Sequence, residues 1–192
     1  MTNTTFTKKE ALNLLHKKMQ NQNLRRHCYA VAAVMKALAN HFNEDEKLWE
    51  IVGLLHDGDY EETKAKPQFH TLKMVEWLKE RKGVSQKIIE AILSHNFVHT
   101  GKNSPKNKLE WSLYCCDELT GLIVAVALVK PDKKLSSVTL HSILNKWNSQ
   151  SFAAGVDRKQ IEQCQARLGI PLNDFIKIAL SAMQSIASDL GL

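Results

Sequence analysis

Leu54-Leu55-His56-Asp57-Gly58-Asp59-Tyr60-Glu61 closes an apolar helical run with a histidine and three acids. Upstream, Asn43-x-x-Glu46 has the spacing of a capping box, and apolar residues follow at helical intervals to about His56. His56 lies four residues after Val52 and beside Leu55, on the face such a helix would bury. Asp57 follows where the helix should end. An imidazole or a carboxylate buried without a partner is costly, so this stretch calls for polar partners elsewhere in the chain. Gly58 reads as the residue that lets the backbone turn sharply after Asp57. A loop bracketed by Gly58 and Pro67 follows.

Outward from that stretch the apolar spacing stays helical, and eight Gly and four Pro leave few places to break it. Thr7-x-x-Glu10 opens a first helix to about Gln20, and Leu24 to Phe42 form the next. Beyond the loop, helices are expected from about Phe69 to Arg81, from Ser85 to near Ser94, and from about Asn107 to Val129, the last stopped by Pro131. Asn96 to Pro105 reads as a polar loop. Ser137 to Trp147, Asp157 to Leu168 and Leu172 to Leu190 complete the set, with Gly169 and Pro171 between the last two. No strand pattern, repeat or long linker stands out. The expectation is an all-α, single-domain helical bundle over residues 1–192. Its core helices lie at about 22–130 and its C-terminal helices at about 137–190.

Composition narrows the function classes. The 192 residues are 44% hydrophobic and 24% charged, ordinary globular usage. The longest uninterrupted apolar run, Gly121 to Val129, is half of what spans a bilayer, and Met1 to Lys9 is polar with no signal core. No membrane association is therefore expected. Four cysteines (28, 115, 116 and 164) form no CxxC, which argues against a disulfide framework or a zinc ribbon. A reduced, cytoplasmic protein is the simplest expectation. The net charge of +6 raises a nucleic-acid partner, but no helix shows a dense basic face, so that partner is not expected. Oligomeric state is not legible.

The sharper signal is where polar residues interrupt apolar faces. His27 sits on the stripe Leu24, Val31, Val34 and Leu38. His70 shares a face with Met74, Trp77 and Leu78. His95 continues Ile88, Ala91 and Ile92, and Asp117 lies on the line Leu113, Gly121 and Val124. A His-Asp dipeptide alone is expected roughly 0.3 times by chance in a chain with eight of each residue, so His56-Asp57 by itself decides little. Four inward histidines and two inward aspartates from different helices are harder to explain separately. Imidazole and carboxylate together suit divalent metals such as Mn, Fe, Mg, Co, Ni or Zn.

In this order, His27, His56-Asp57 and Asp117 resemble the H…HD…D signature of the HD-domain metal-dependent phosphohydrolase superfamily. Residues 54–61 also look like the LLHDxDYE stretch of a small bacterial subfamily. Ser94-His95-Asn96, Asp117 to Leu122 and Phe152 to Arg158 are similar to it as well. The resemblance implies that His27, His56, Asp57 and Asp117 bind one divalent metal. His70 and His95 match the extra histidines of two-metal members, in which Asp57 would bridge, giving one or two ions. Asp57 and Asp59 are the catalytic candidates. Asp59 could act as general acid or base, as an orienter of a histidine, or as a plain helix-end residue. Gly58 and Asp59 depart from the common HDIG form. Asn96 replaces a further histidine of the cyclic-dinucleotide phosphodiesterases, whose GYP elements are missing.

The implied activity is a metal-dependent phosphohydrolase, a phosphatase or phosphodiesterase acting on a small phosphorylated metabolite such as a nucleotide. Arg26, His99 and Lys102 are the candidate substrate contacts. Arg25, Lys64, Lys66, Lys106 and Lys108 are further cations near the motifs. Two alternatives stay open: a mixed-valent diiron oxygenase, whose H…HD…H…H…D order is similar, and a non-catalytic helical binding domain.

Overall fold

A computed structural model describes residues 5–149 and 151–192, so residues 1–4, part of the polar N-terminal stretch, lie outside the described residues. The described residues are helical with no strands. In chain order the helices are α1 (Lys8–Lys18), α2 (Gln22–Phe42), α3 (Glu46–Leu55), α4 (Tyr60–Thr63), α5 (Leu72–Lys79), α6 (Gln86–His95), α7 (Phe97–Thr100), α8 (Lys108–Leu128), α9 (Leu140–Trp147), α10 (Arg158–Leu168), α11 (Leu172–Ser185) and α12 (Ala187–Leu190). Short 3₁₀ turns precede α5 at Pro67–Phe69 and α9 at Leu135–Ser137.

α8 is apolar on every side and runs through the core, against α2, α6, α10 and α11. By length and composition it could cross a membrane. Counting unbroken apolar runs hid this, because Thr120 and the acids at 117 and 118 interrupt the run without making the helix polar on average. In the fold most of α8 is buried in protein. α2 and α3 pack most intimately. A Cβ on Gly53 would stand 2.5 Å from Ala32 Cα and 2.7 Å from Ala32 N, so the two backbones meet at this glycine. That approach sets how near His27 on α2 lies to the end of α3.

Local chemistry explains where the expected boundaries shift. Thr7 and Glu10 do form the capping box of α1. Asn43 is not the cap of α3. It closes α2 in the left-handed conformation (φ 56), and Asp45 caps α3 through Lys47 N and Leu48 N. The helix expected from Phe69 starts at Leu72, because the 3₁₀ turn and Thr71, at φ 71, come first. The polar loop after His95 contains the single turn α7. The final helix breaks at Ile186 into α11 and α12.

Candidate metal centre

α3 ends at Leu55, and the next two residues carry the chemistry. His56 caps the helix with its N–H on Val52 O, and its ring is fully buried. Gly58 N–H donates to Leu55 O and Tyr60 N–H to Asp57 O, turning the chain into α4. Gly58 is not needed for a left-handed turn, as its φ is not positive. A Cβ there would lie 2.6 Å from Met74 Sδ and 3.3 Å from Leu55 O, so the Met74 side chain would have to move aside. Asp57 thereby projects among four histidines. Its Oδ1 lies 3.1 Å from His70 Nε2, 3.3 Å from His95 Nε2 and 3.7 Å from His56 Nε2, and its Oδ2 lies 3.7 Å from His27 Nε2. Asp117, midway along α8, comes within 2.8 Å of His27 Nε2 and 3.4 Å of His56 Nε2 through Oδ1. Its Oδ2 lies 3.8 Å from His95 Nδ1.

These contacts form overlapping donor groups: His27, His56 and Asp57; His56, His95 and Asp117; Asp57, His70 and His95. All six residues expected as ligands converge.

The outer hydrogen bonds decide which ring nitrogens carry lone pairs. His56 Nδ1–H donates to Gly53 O at 2.8 Å, so the free nitrogen of the neutral ring is Nε2. Thr120 Oγ1 donates to Asp117 O and so accepts from His27 Nδ1–H at 3.3 Å, which leaves His27 Nε2 free. His70 Nδ1–H donates to Asp59 Oδ1 at 2.7 Å, again leaving Nε2. The free nitrogens of His27 and His56 then face each other at 3.2 Å, with carboxylate oxygens beside them. Lone pairs pointed at lone pairs need a cation or a proton between them. Buried His95 Nδ1 has no hydrogen-bond partner among the described residues. This donor set fits a divalent metal, with outer partners of the kind that orient metal-binding histidines.

Where protons take the metal's place, the charges respond strongly. Burial opposes protonation of His27, but the hydrogen bond and charge of Asp117 and the charge of Asp57 outweigh it and push it up to about 9. Burial likewise opposes protonation of His70, and Asp57 and Asp59 raise it to about 10. Burial opposes ionisation of Asp57 and Asp117, yet the surrounding imidazoles hold both carboxyls well below the usual range.

Asp59 is fully buried, with Oδ1 on His70 and Oδ2 accepting from Met74 N–H at 3.0 Å. It does not line the cavity, so among its three readings the geometry is that of the orienter. Asn96 is a second support that sequence reasoning missed. Its Nδ2 donates to Pro67 O at 2.8 Å and His70 O at 3.0 Å, tying the His70 turn to the end of α6. Thr120 is a third. Its only signal in the sequence was a polar residue one place short of a helical turn after Asp117.

A cavity of about 490 Å³ opens over the cluster. Of the three candidate substrate contacts, His99 lines it. Arg26 and Lys102 do not. Arg26 packs against Gly191 at the C-terminal end, and Lys102 is exposed on the loop after α7. Arg25 donates to Met19 O and His16 O, so it serves the end of α1. Lys64, Lys66, Lys106 and Lys108 are also absent from the lining. The rest of the lining includes residues not named as substrate contacts, Tyr114, Glu118, Val156, Asp157 and Gln160, together with Tyr60, whose ring meets His70 edge-on at 5.6 Å.

A family model described as HD domain matches residues 24–127, more than half of the chain and a span that holds all six converging residues. No curated protein and no solved structure matches the chain.

Proposed function

The chain belongs to the HD-domain family, and from that premise we propose that it is a metal-dependent hydrolase of phosphoester bonds, acting on a small phosphorylated metabolite such as a nucleotide. One observation carries the reading. Three imidazoles are pinned from outside by Gly53 O, Thr120 and Asp59, so that their free nitrogens converge with Asp57 and Asp117 under an open cavity. Such a set holds divalent metals with two carboxylates and four imidazoles. His27, His56, Asp57 and Asp117 would hold one ion, and Asp57, His70 and His95 would hold a second.

Bound there, divalent metal supplies Lewis acidity and lowers the pKa of water. The chain does the rest. Asp57 and Asp117, ionised far below neutrality, keep the floor anionic enough to retain cations. The outer hydrogen bonds hold the imidazoles in one tautomer and save reorganisation during reaction. His99 contacts the phosphoryl oxygens from the rim. In hydrolysis the oxygen of water bonds to phosphorus, the ester P–O bond breaks, and the water's proton ends on the departing alcohol. The four cysteines are free and buried, which suits the reducing, cytoplasmic setting we also propose.

The test is a panel of phosphomonoesters and phosphodiesters with Mn²⁺, Mg²⁺, Co²⁺ or Fe²⁺, comparing the wild type with Asp57→Ala. Hydrolysis that disappears in a folded variant that no longer retains metal supports the reading. A folded, metal-loaded wild type inert to every ester contradicts it. An Fe(II)/Fe(III) spectroscopic signature with O₂ consumption would assign the chain to the oxygenase alternative.

A further inference from the structure

The cavity over the metal centre has an unusual charge for a phosphate site. Among the described residues no Lys or Arg lines it, although the chain carries 26 of them. Four acids do: Asp57 and Asp117 in the donor cluster, Glu118 beside Asp117 on α8, pushed up to about 7 by burial and by the charge of Asp117, and Asp157. The nearest cation in sequence, Arg158, is turned away. Its guanidinium donates to the carbonyls of Trp147, Ser149, Phe152, Ala153 and Val156. Those bonds shape the segment that presents Val156 and Asp157 to the cavity.

The wall itself is built. Asp157 N–H donates to Glu118 Oε2 at 3.0 Å, and Asp157 Oδ1 caps α10 through Lys159 N and Gln160 N. Gln160 Nε2 donates to Tyr114 O at 2.7 Å. Glu118 Oε1 and Asp157 Oδ2 take no protein hydrogen bond among the described residues, so each offers an acceptor to whatever enters. Even two divalent ions held by two carboxylates leave about two positive charges, which a single phosphoryl group of about −2 consumes. A second phosphate would then face Glu118 and Asp157 with no side-chain cation to offset them.

We propose that Glu118 and Asp157 are specificity-determining residues, admitting a monophosphate ester whose remainder carries hydrogen-bond donors, hydroxyl or ammonium, and turning away a second phosphate. The proposal rests on the phosphohydrolase reading for its reaction, and on the cavity wall alone for its selectivity.

The experiment compares glucose 6-phosphate, O-phosphoethanolamine, phenyl phosphate and fructose 1,6-bisphosphate on Mn²⁺-loaded protein. It reads kcat/KM and, independently of turnover, thermal stabilisation by each compound. At least one of the two donor-bearing monophosphates should exceed both the bisphosphate and phenyl phosphate by about tenfold in kcat/KM, and should stabilise the protein more. The better of the two identifies hydroxyl or ammonium as the donor.

Glu118→Gln keeps an acceptor for Asp157 N–H while removing the charge, and should shift the monophosphate-to-bisphosphate ratio toward the bisphosphate by about tenfold. Gln160→Lys, which adds a cation to the same wall, should move it the same way. A bisphosphate preferred by the wild type, or ratios unmoved in both folded variants, overturns the proposal. If no ester is hydrolysed the phosphohydrolase reading falls, and the stabilisation ratios alone decide on the charge filter.

Discussion

Asp57 and Asp59 stand two residues apart and serve different partners. Asp57 meets the ring nitrogens that face the cavity, whereas Asp59 holds His70 from behind through Nδ1 and the backbone of Met74. Asp59→Asn should therefore weaken metal affinity by about 10–100-fold, the usual cost of losing an outer partner. It should also let the His70 pKa, read by NMR after chelator treatment, fall from about 10 toward the ordinary histidine range. Were Asp59 a proton donor in the reaction, metal content would hold and only kcat would fall.

The histidines also set the pH behaviour. His27 and His70, raised to about 9 and 10, hold protons at neutrality when chelator has removed metal, while Asp57 and Asp117 are already ionised. Metal must displace those protons, so apparent affinity should rise with pH from about 6 to 9–10, with proton release measurable by calorimetry in buffers of different ionisation enthalpy. The stability of chelator-treated protein should move oppositely. Raised histidine pKa values contribute stability fully present below about 6.5 and lost as pH rises through 9 and 10. Thermal melts across that range check the sign.

At the scale of the element, the site depends on helix ends and close approaches. Gly53→Ala brings a helix-propensity gain of about 1 kcal/mol. It also puts a Cβ 2.5 Å from the backbone of Ala32, where no flexible side chain can yield. Overpacking of this kind costs about 1–3 kcal/mol, so net destabilisation is expected in chemical denaturation. The separation of His27 from His56 should widen, weakening metal retention. Arg158→Lys keeps the charge but loses the fork that binds five carbonyls, and should cost about 1–3 kcal/mol and loosen the 151–156 segment.

Much at this scale was legible in the sequence. Apolar periodicity located the long helices, and the polar interruptions at 27, 56, 57, 95 and 117 marked residues that do converge. The spacing of His70 from Met74 suggests a shared helix face, yet His70 sits before α5 in a turn that reverses at Thr71. Periodicity cannot see a turn held by a tertiary bond such as that from Asn96. Nor could it see that the cations beside the motifs face away, because sequence neighbours of an inward histidine point elsewhere on the helix.

For the whole molecule, the match to the HD domain covers residues 24–127, and the C-terminal helices add to it. α11 packs on α2 and α8, and α10 on α8, so these segments complete the core. They also supply Val156, Asp157 and Gln160 to the cavity. The net charge of +6 therefore describes the surface and not the site, whose lining carries four acids and no Lys or Arg among the described residues.

The central claim is that His27, His56, Asp57, His70, His95 and Asp117 form one metal centre. Anomalous diffraction at the manganese edge from crystals of Mn²⁺-loaded protein tests it most directly. A peak is expected at roughly 2.0–2.3 Å from ring nitrogens of His27 and His56 and carboxylate oxygens of Asp57 and Asp117, and a second between Asp57, His70 and His95. Stoichiometric manganese bound elsewhere, or no peak among these six side chains, would contradict it.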